Sequence, residues 1–151
     1  MVNQVIEWND RLEIGIRLVD RQHARLVDLT NNLHLACLRS SETANRFFIN
    51  AAHEAVEYVQ YHFSTEEKMM LLLDYPGYST HKAQHQSFVK ELLSQTSKFA
   101  TGKNLVPNRF VYYLKEWVLS HIAVSDKAMA DYILKMRQYK KLLDLFPQPH
   151  G

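Results

Sequence analysis

Three short patterns in this chain could do chemistry together. His62-x-x-x-Glu66 and His81-x-x-x-His85 each set two donor side chains four residues apart, and His121-x-x-x-x-Asp126 sets two five apart. A lone His23 stands nearer the N-terminus. Residues four apart on an α-helix share one face, about a turn from each other, so such pairs can reach one metal ion or one pair of ions. With eight histidines and nine glutamates among 151 residues, His-x-x-x-Glu alone is expected by chance ~0.5 times, but all three patterns together only ~0.07 times. The set carries weight that no member has alone.

The neighbours of these residues sharpen the reading. His85 is in register with Phe88, Val89 and Leu92; His121 extends the stripe Phe110, Leu114 and Trp117; His23 precedes Leu26, Val27 and Thr30. All of these are apolar, core-facing stripes. Buried imidazoles and carboxylates are costly unless paired or bound to metal. His23, His62, Glu66, His81, His85, His121 and Asp126 are more donors than one tetrahedral zinc can use. They suit two ions that share the carboxylates as bridges, and bridging carboxylates favour a hard ion such as iron. Neutral imidazoles dominate, unlike in the carboxylate-rich di-iron bundles, so less forcing chemistry is expected. Asp126 has a second reading, as the cap of the segment that follows it.

The other candidates read more plainly. His53 is nine residues before His62 and faces away; His34 lies ~16 Å along the helix from His23, a hydrogen-bonded histidine at the core end. His150 is in the tail. Met69, Met70 and Tyr58 read as core packing, and Cys37 as a small buried hydrophobe on an apolar stripe.

Helices must position these residues. Gly and Pro cluster at Gly15, Pro76-Gly77, Gly102 to Pro107 and the C-terminal Pro147, Pro149 and Gly151, and the stretches between favour helix. Helices are expected over about 18–38, 43–73, 79–100 and 107–125, with Arg39 to Glu42 as the first turn and a further helical segment over 127–144. Stripes such as Leu26, Val27, Thr30, Leu33 and Cys37 repeat at i, i+3 and i+4. Four helices with short connections give an all-α fold, an antiparallel up-down-up-down four-helix bundle. The expected organisation is one domain over 1–151. It comprises an N-terminal non-helical arm over 1–15 anchored by Trp8, the bundle over 16–126, a C-terminal helical extension over 127–146 and a tail over 147–151. On a straight helix, five residues at ~100° each leave His121 and Asp126 ~140° apart, so a local irregularity is expected near Ser125.

Composition excludes several classes. The chain is 46% hydrophobic and 23% charged, as in a folded protein and not a disordered tail. One cysteine rules out an internal disulfide framework. The longest apolar run, Met69 to Leu73, is far short of the ~20 residues of a membrane span, and no secretory signal opens the chain. A net charge of +2 with dispersed basic residues gives no nucleic-acid footprint. A cytoplasmic monomer is the expectation.

These residues together resemble the hemerythrin family in its bacterial single-domain form. The likeness lies in Gly15 to His23, His62 to Glu67, Tyr75-Pro76, His81 to His85 and Trp117 to Asp126, and covers roughly residues 8–135. The resemblance implies a non-haem di-iron centre cycling between Fe2+ and Fe3+ with an oxo or hydroxo bridge. His81, His85 and His121 would hold one iron and His23 and His62 the other, with Glu66 and Asp126 bridging. It implies reversible O2 binding for oxygen storage, delivery or sensing, with no catalysis, and an oxygen-consuming enzyme as a possible receiver. Phe63, Trp117, Val118 and Ile122, beside the ligand positions, would form a dry oxygen pocket. The rival readings are a di-iron oxidase, peroxidase or nitric-oxide-handling enzyme, and a structural or metal-buffering bundle.

Overall fold

In the computed structural model, the described residues are 4–38, 42–100, 107–136 and residue 145. The helices among them are α1 (Arg17–Cys37), α2 (Glu42–Leu72), α3 (Tyr78–Ala100), α4 (Pro107–His121) and α5 (Lys127–Lys135). A π turn, Ile122–Asp126, joins the last two without a break. No strand occurs among the described residues, and no described helix is long and apolar enough to cross a membrane. α1 packs against α2 and α4, and α2 also against α3, which closes the antiparallel four-helix bundle.

The apolar stripes fall where the periodicity places them. Leu26, Leu33, Phe88, Leu92, Phe110 and Leu114 are buried in one core with Met69 and Met70. Cys37 and Tyr58 are only half-buried against it, so Cys37 is less enclosed than its stripe suggests. Burial pushes the Cys37 thiol up to about 11 and the Tyr58 hydroxyl up to about 12.

The turn from α2 to α3 stops the helix sharply. Tyr75 N–H returns to Met70 O at 2.9 Å across Asp74, whose φ of 51° puts it in the left-handed region that a Schellman-type ending requires. Gly77 is fixed by close approach, since a Cβ there would stand 2.7 Å from the Tyr75 ring. That ring lies against Tyr132 of α5, whose hydroxyl donates to Leu73 O at 2.9 Å. This contact ties the end of α2 to the last helix.

The N-terminal arm is held differently from the sequence reading. Trp8 is half-buried, whereas Ile6, Ile14 and Ile16 are buried and act as the anchors. Residues 10–12 form a single 3-10 turn. Asn31 of α1 fixes the arm's backbone: its Oδ1 accepts from Val5 N–H (2.9 Å) and Ile6 N–H (3.0 Å), and its Nδ2 donates to Ile6 O (2.9 Å). Asp20 accepts from Ile14 and Gly15 N–H. At the far end, the first part of the helix expected over 127–144 is α5, which stops at Lys135 because Met136 turns to extended backbone (φ −81°, ψ 119°), and residues 137–144 lie outside the described residues. The expected tail with His150 lies outside the described residues.

Asn31→Ala should strip the buried Ile6 amide and carbonyl of their partner. The expected loss is ~2–4 kcal/mol, read as a lower urea midpoint at unchanged slope. Arg25→Ala, which breaks only the exposed Arg25–Glu54 pair, should cost ~0.5 kcal/mol or less.

Candidate metal centre

Seven donor side chains meet in the middle of the bundle. α1 supplies His23, α2 His62 and Glu66, α3 His81 and His85, α4 His121, and the π turn Asp126. All seven are buried, Glu66 and His23 completely. The π turn explains how Asp126 arrives. Lys127 N–H bonds to Ile122 O, an i to i+5 closure that takes one residue more per turn than an α-helix. A residue five positions after His121 is thereby brought back toward the same face. The backbone at Asp126 is already helical and its side chain caps nothing, so the capping alternative gives way to the inward one.

The donors form two overlapping groups. Glu66, His81, His85, His121 and Asp126 make one, and His23, His62, Glu66 and Asp126 the other. The carboxylates belong to both, and their individual oxygens divide the work. Glu66 Oε1 faces His62 Nε2 (3.0 Å) and His23 Nε2 (3.4 Å), while its Oε2 faces His85 Nε2 (3.2 Å) and His81 Nε2 (3.4 Å). Asp126 Oδ2 faces His23 Nε2 at 3.0 Å, and its Oδ1 faces the Nε2 atoms of His81 and His121 at 3.1 Å each.

Hydrogen bonding within the protein does not satisfy this arrangement. Despite the short distances, His23 Nε2, both Glu66 oxygens and Asp126 Oδ1 make no hydrogen bond of acceptable geometry. His121 Nε2 lies 3.1 Å from both His85 Nε2 and His81 Nε2, nitrogen against nitrogen. Two donors each ~2.1 Å from one cation and at right angles stand ~3.0 Å apart, which is the spacing seen. The lone pairs converge on points between the side chains, and the donor set fits cations of the imidazole- and carboxylate-binding kind.

The carboxylates point the same way. Burial alone would raise the Glu66 pKa, but His62, His23 and His81 hold it well below the usual carboxylate range. Burial and Glu66 would raise Asp126, yet His121, His23 and His81 keep it low as well. Both are therefore anions, the form a cation requires. Burial would lower His23 and His81, but Asp126 and Glu66 push both up to about 9. For His62, burial outweighs the pull of Glu66 and lowers the pKa.

Residues outside the sequence-derived set orient two of the rings. Gln22 Oε1 accepts from His62 Nδ1 at 2.7 Å, and its Nε2 donates to Thr65 Oγ1 at 3.2 Å. Glu67 Oε1 stands 3.1 Å from His85 Nδ1. With the proton fixed on Nδ1, each Nε2 turns a lone pair inward. The only sequence signal for these two is adjacency, Gln22 beside His23 and Glu67 beside Glu66.

Two of the four expected pocket residues, Phe63 and Trp117, contact the cluster's rings. Phe63 stacks on His85 (centroids 3.6 Å, 2° between planes) and also approaches His62 (5.9 Å). Trp117 stacks on His121 at 4.2 Å and on Phe88 at 3.7 Å, on the three-histidine side. Val118 and Ile122 are buried in the same core. His53 is exposed and His34 half-buried, and neither belongs to the donor groups.

A four-helix bundle with a buried histidine-rich cluster between its helices defines a class of metal-binding protein. A family model described as hemerythrin HHE cation binding domain matches residues 14–133, and the chain belongs to the hemerythrin family. Bacteriohemerythrin of Stenotrophomonas maltophilia (strain R551-3) is 32% identical over 146 residues, covering 97% of this chain and 89% of the relative. Bacteriohemerythrin of Pseudomonas aeruginosa (strain LESB58) is 30% identical over 124 residues, covering 82% and 78%. The crystal structure of wild-type hemerythrin matches the fold with a TM-score of 0.79 at 23% identity, covering 84% of this chain and 96% of that one.

Gln22→Leu should leave His62 Nδ1 without its acceptor. A loss of ~1–3 kcal/mol in metal-free stability is expected. Metal retention against a chelator should weaken ~10–100-fold. Gln22→Glu, which still accepts the Nδ1 proton, should retain metal better than Gln22→Leu.

Proposed function

We propose that this protein binds O2 reversibly at a centre of two non-haem irons bridged by Glu66 and Asp126. His81, His85 and His121 would hold one ion and His23 and His62 the other. The observation that carries the reading is the division of labour between carboxylate oxygens, Glu66 Oε1 toward one histidine group and Oε2 toward the other. When bound, two irons supply two electrons to O2 and take them back on release.

The chain's own residues do the rest. Glu66 and Asp126 keep the two positions together. Gln22 and Glu67 hold their histidines in the tautomer that binds. Phe63, Trp117, Val118 and Ile122 keep water and protons from the bound oxygen, which slows its irreversible loss. In this reading the protein stores, delivers or senses oxygen and catalyses no reaction. It works as one hemerythrin-like unit over 1–151, a cytoplasmic monomer that hands O2 to an oxygen-consuming enzyme.

Anaerobic reduction followed by O2 should give a new visible charge-transfer band that disappears when O2 is removed, with two irons per chain. Irreversible bleaching, or steady O2 consumption with an added reductant, would favour the oxidase or peroxidase reading instead. No iron would leave only a bundle.

Metal counting tests the bridges. Glu66→Ala or Asp126→Ala should empty both positions, whereas His85→Ala should lower occupancy of one. Val118→Ser should bring a polar group to the pocket and speed the decay of the oxygenated form several-fold, followed as loss of the visible band. An unchanged decay would remove Val118 from the pocket.

A further inference from the structure

Among the described residues, two surface grooves reach the neighbourhood of the cluster, and they differ in chemistry. The first, about 440 Å³ between α2 and α3, has Phe63, His85 and Glu67 in its floor and Val89, Lys90 and Leu93 around it. The second, about 260 Å³ between α3 and the π turn, is lined by His121, Trp117, Gln84, Ser120 and Ser125. Its floor includes the most exposed of the seven donors, since His121 is 7% exposed and the other six are 3% or less.

Access to the imidazole and the local charge separate the two. A hydrated cation sheds water readily only where other oxygens replace it. The second groove offers the hydroxyl of Ser120 and, once its bond to Gln84 is open, that of Ser125 above an imidazole. The first has oxygens too, from Gln60, Ser64, Glu67 and Gln86, but the imidazole it reaches, His85, is only 1% exposed. The first groove also carries Lys90, and Lys82 Nζ stands 4.0 Å from Glu67 Oε2. Those ammonium groups repel an arriving cation.

The second groove also has a fastener. Ser125 Oγ donates to Gln84 Oε1 at 2.7 Å, an exposed bond that ties α3 to the π turn. Asp126 is the next residue along. Opening this bond loosens the element that delivers the Asp126 carboxylate without disturbing the packed helices beneath it.

We propose that metal ions enter and leave the cluster through the groove between α3 and the π turn, with the Ser125–Gln84 hydrogen bond as its latch. The proposal rests on the metal-centre reading above, and not on the oxygen chemistry. A latch of one hydrogen bond sets rates and not affinity.

The test uses metal-stripped protein mixed rapidly with Co(II), followed by visible absorption and tryptophan fluorescence, then release into excess chelator. Gln84→Ala should speed uptake and release alike, by about fivefold for the loss of one hydrogen bond, with the cobalt count and affinity unchanged. Gln84→Trp, which plugs the groove, should slow both. Lys90→Ala, in the other groove, should change neither.

Wild-type rates in both Gln84 variants would overturn the proposal. So would acceleration by Lys90→Ala, or opposite changes in uptake and release, which would mean altered affinity. If wild-type protein takes up no Co(II), the metal-centre reading falls and the entrance with it. Normal Co(II) uptake beside an iron form that gives no reversible colour with O2 would overturn only the oxygen function.

Discussion

The structure is organised around the cost of burying charge. Two carboxylates and five imidazoles occupy the centre of a bundle in which, among the described residues, the other buried positions hold Leu, Ile, Val, Phe, Met or Ala or a hydrogen-bonded polar group. Removing such groups from water costs several kcal/mol each even after relaxation, and the neighbouring protein supplies too few hydrogen bonds to compensate. Both Glu66 oxygens, Asp126 Oδ1 and His23 Nε2 have none of acceptable geometry. The surrounding structure answers this cost in two ways. Gln22 and Glu67 satisfy the outward-facing nitrogens of His62 and His85, and the lone pairs left inside converge where cations fit.

The same constraint explains a local oddity of the backbone. A straight helix that carried His121 inward would carry Asp126 away, and a carboxylate turned into the wall of the bundle would have no partner. One residue is therefore absorbed as a π turn, with Lys127 N–H reaching back to Ile122 O. A weaker backbone geometry is tolerated because it places an anion where five imidazoles gather. This is why the irregularity falls within a helical run and not at a Gly or Pro.

That irregularity was legible in the sequence, as were the helices, because both follow from angular periodicity along a single segment. The donor set was legible for the same reason: each pattern sits on one helix, and the apolar register shows which way it faces. What lay out of reach depends on pairing between segments. Gln22 meets His62, and Glu67 meets His85, across helix boundaries whose rotation no single-helix pattern fixes. The arm shows the same limit, since Trp8 is the largest apolar residue there but Ile6, Ile14 and Ile16 fit the space against α1. The end of α5 at Lys135 has no sequence signal, since nothing in Met136-Arg137-Gln138 marks a helix stop.

The two donor groups are unequal, and the inequality runs through every layer around them. The group on the α3 and α4 side has three imidazoles, two of them stacked under Phe63 and Trp117, and a carboxylate behind His85. The group on the α1 and α2 side has two imidazoles and a neutral amide behind His62. A carboxylate acceptor makes an imidazole a stronger donor to metal than an amide does. An ion on the first side would thus be better supplied with charge than one on the second, although the most exposed donor, His121, lies there. The second group has one imidazole fewer. Phe63, the one expected pocket ring seen to approach histidines of both groups, stands at the boundary between them. The inequality between the two groups is therefore built from how many imidazoles each pair of helices contributes.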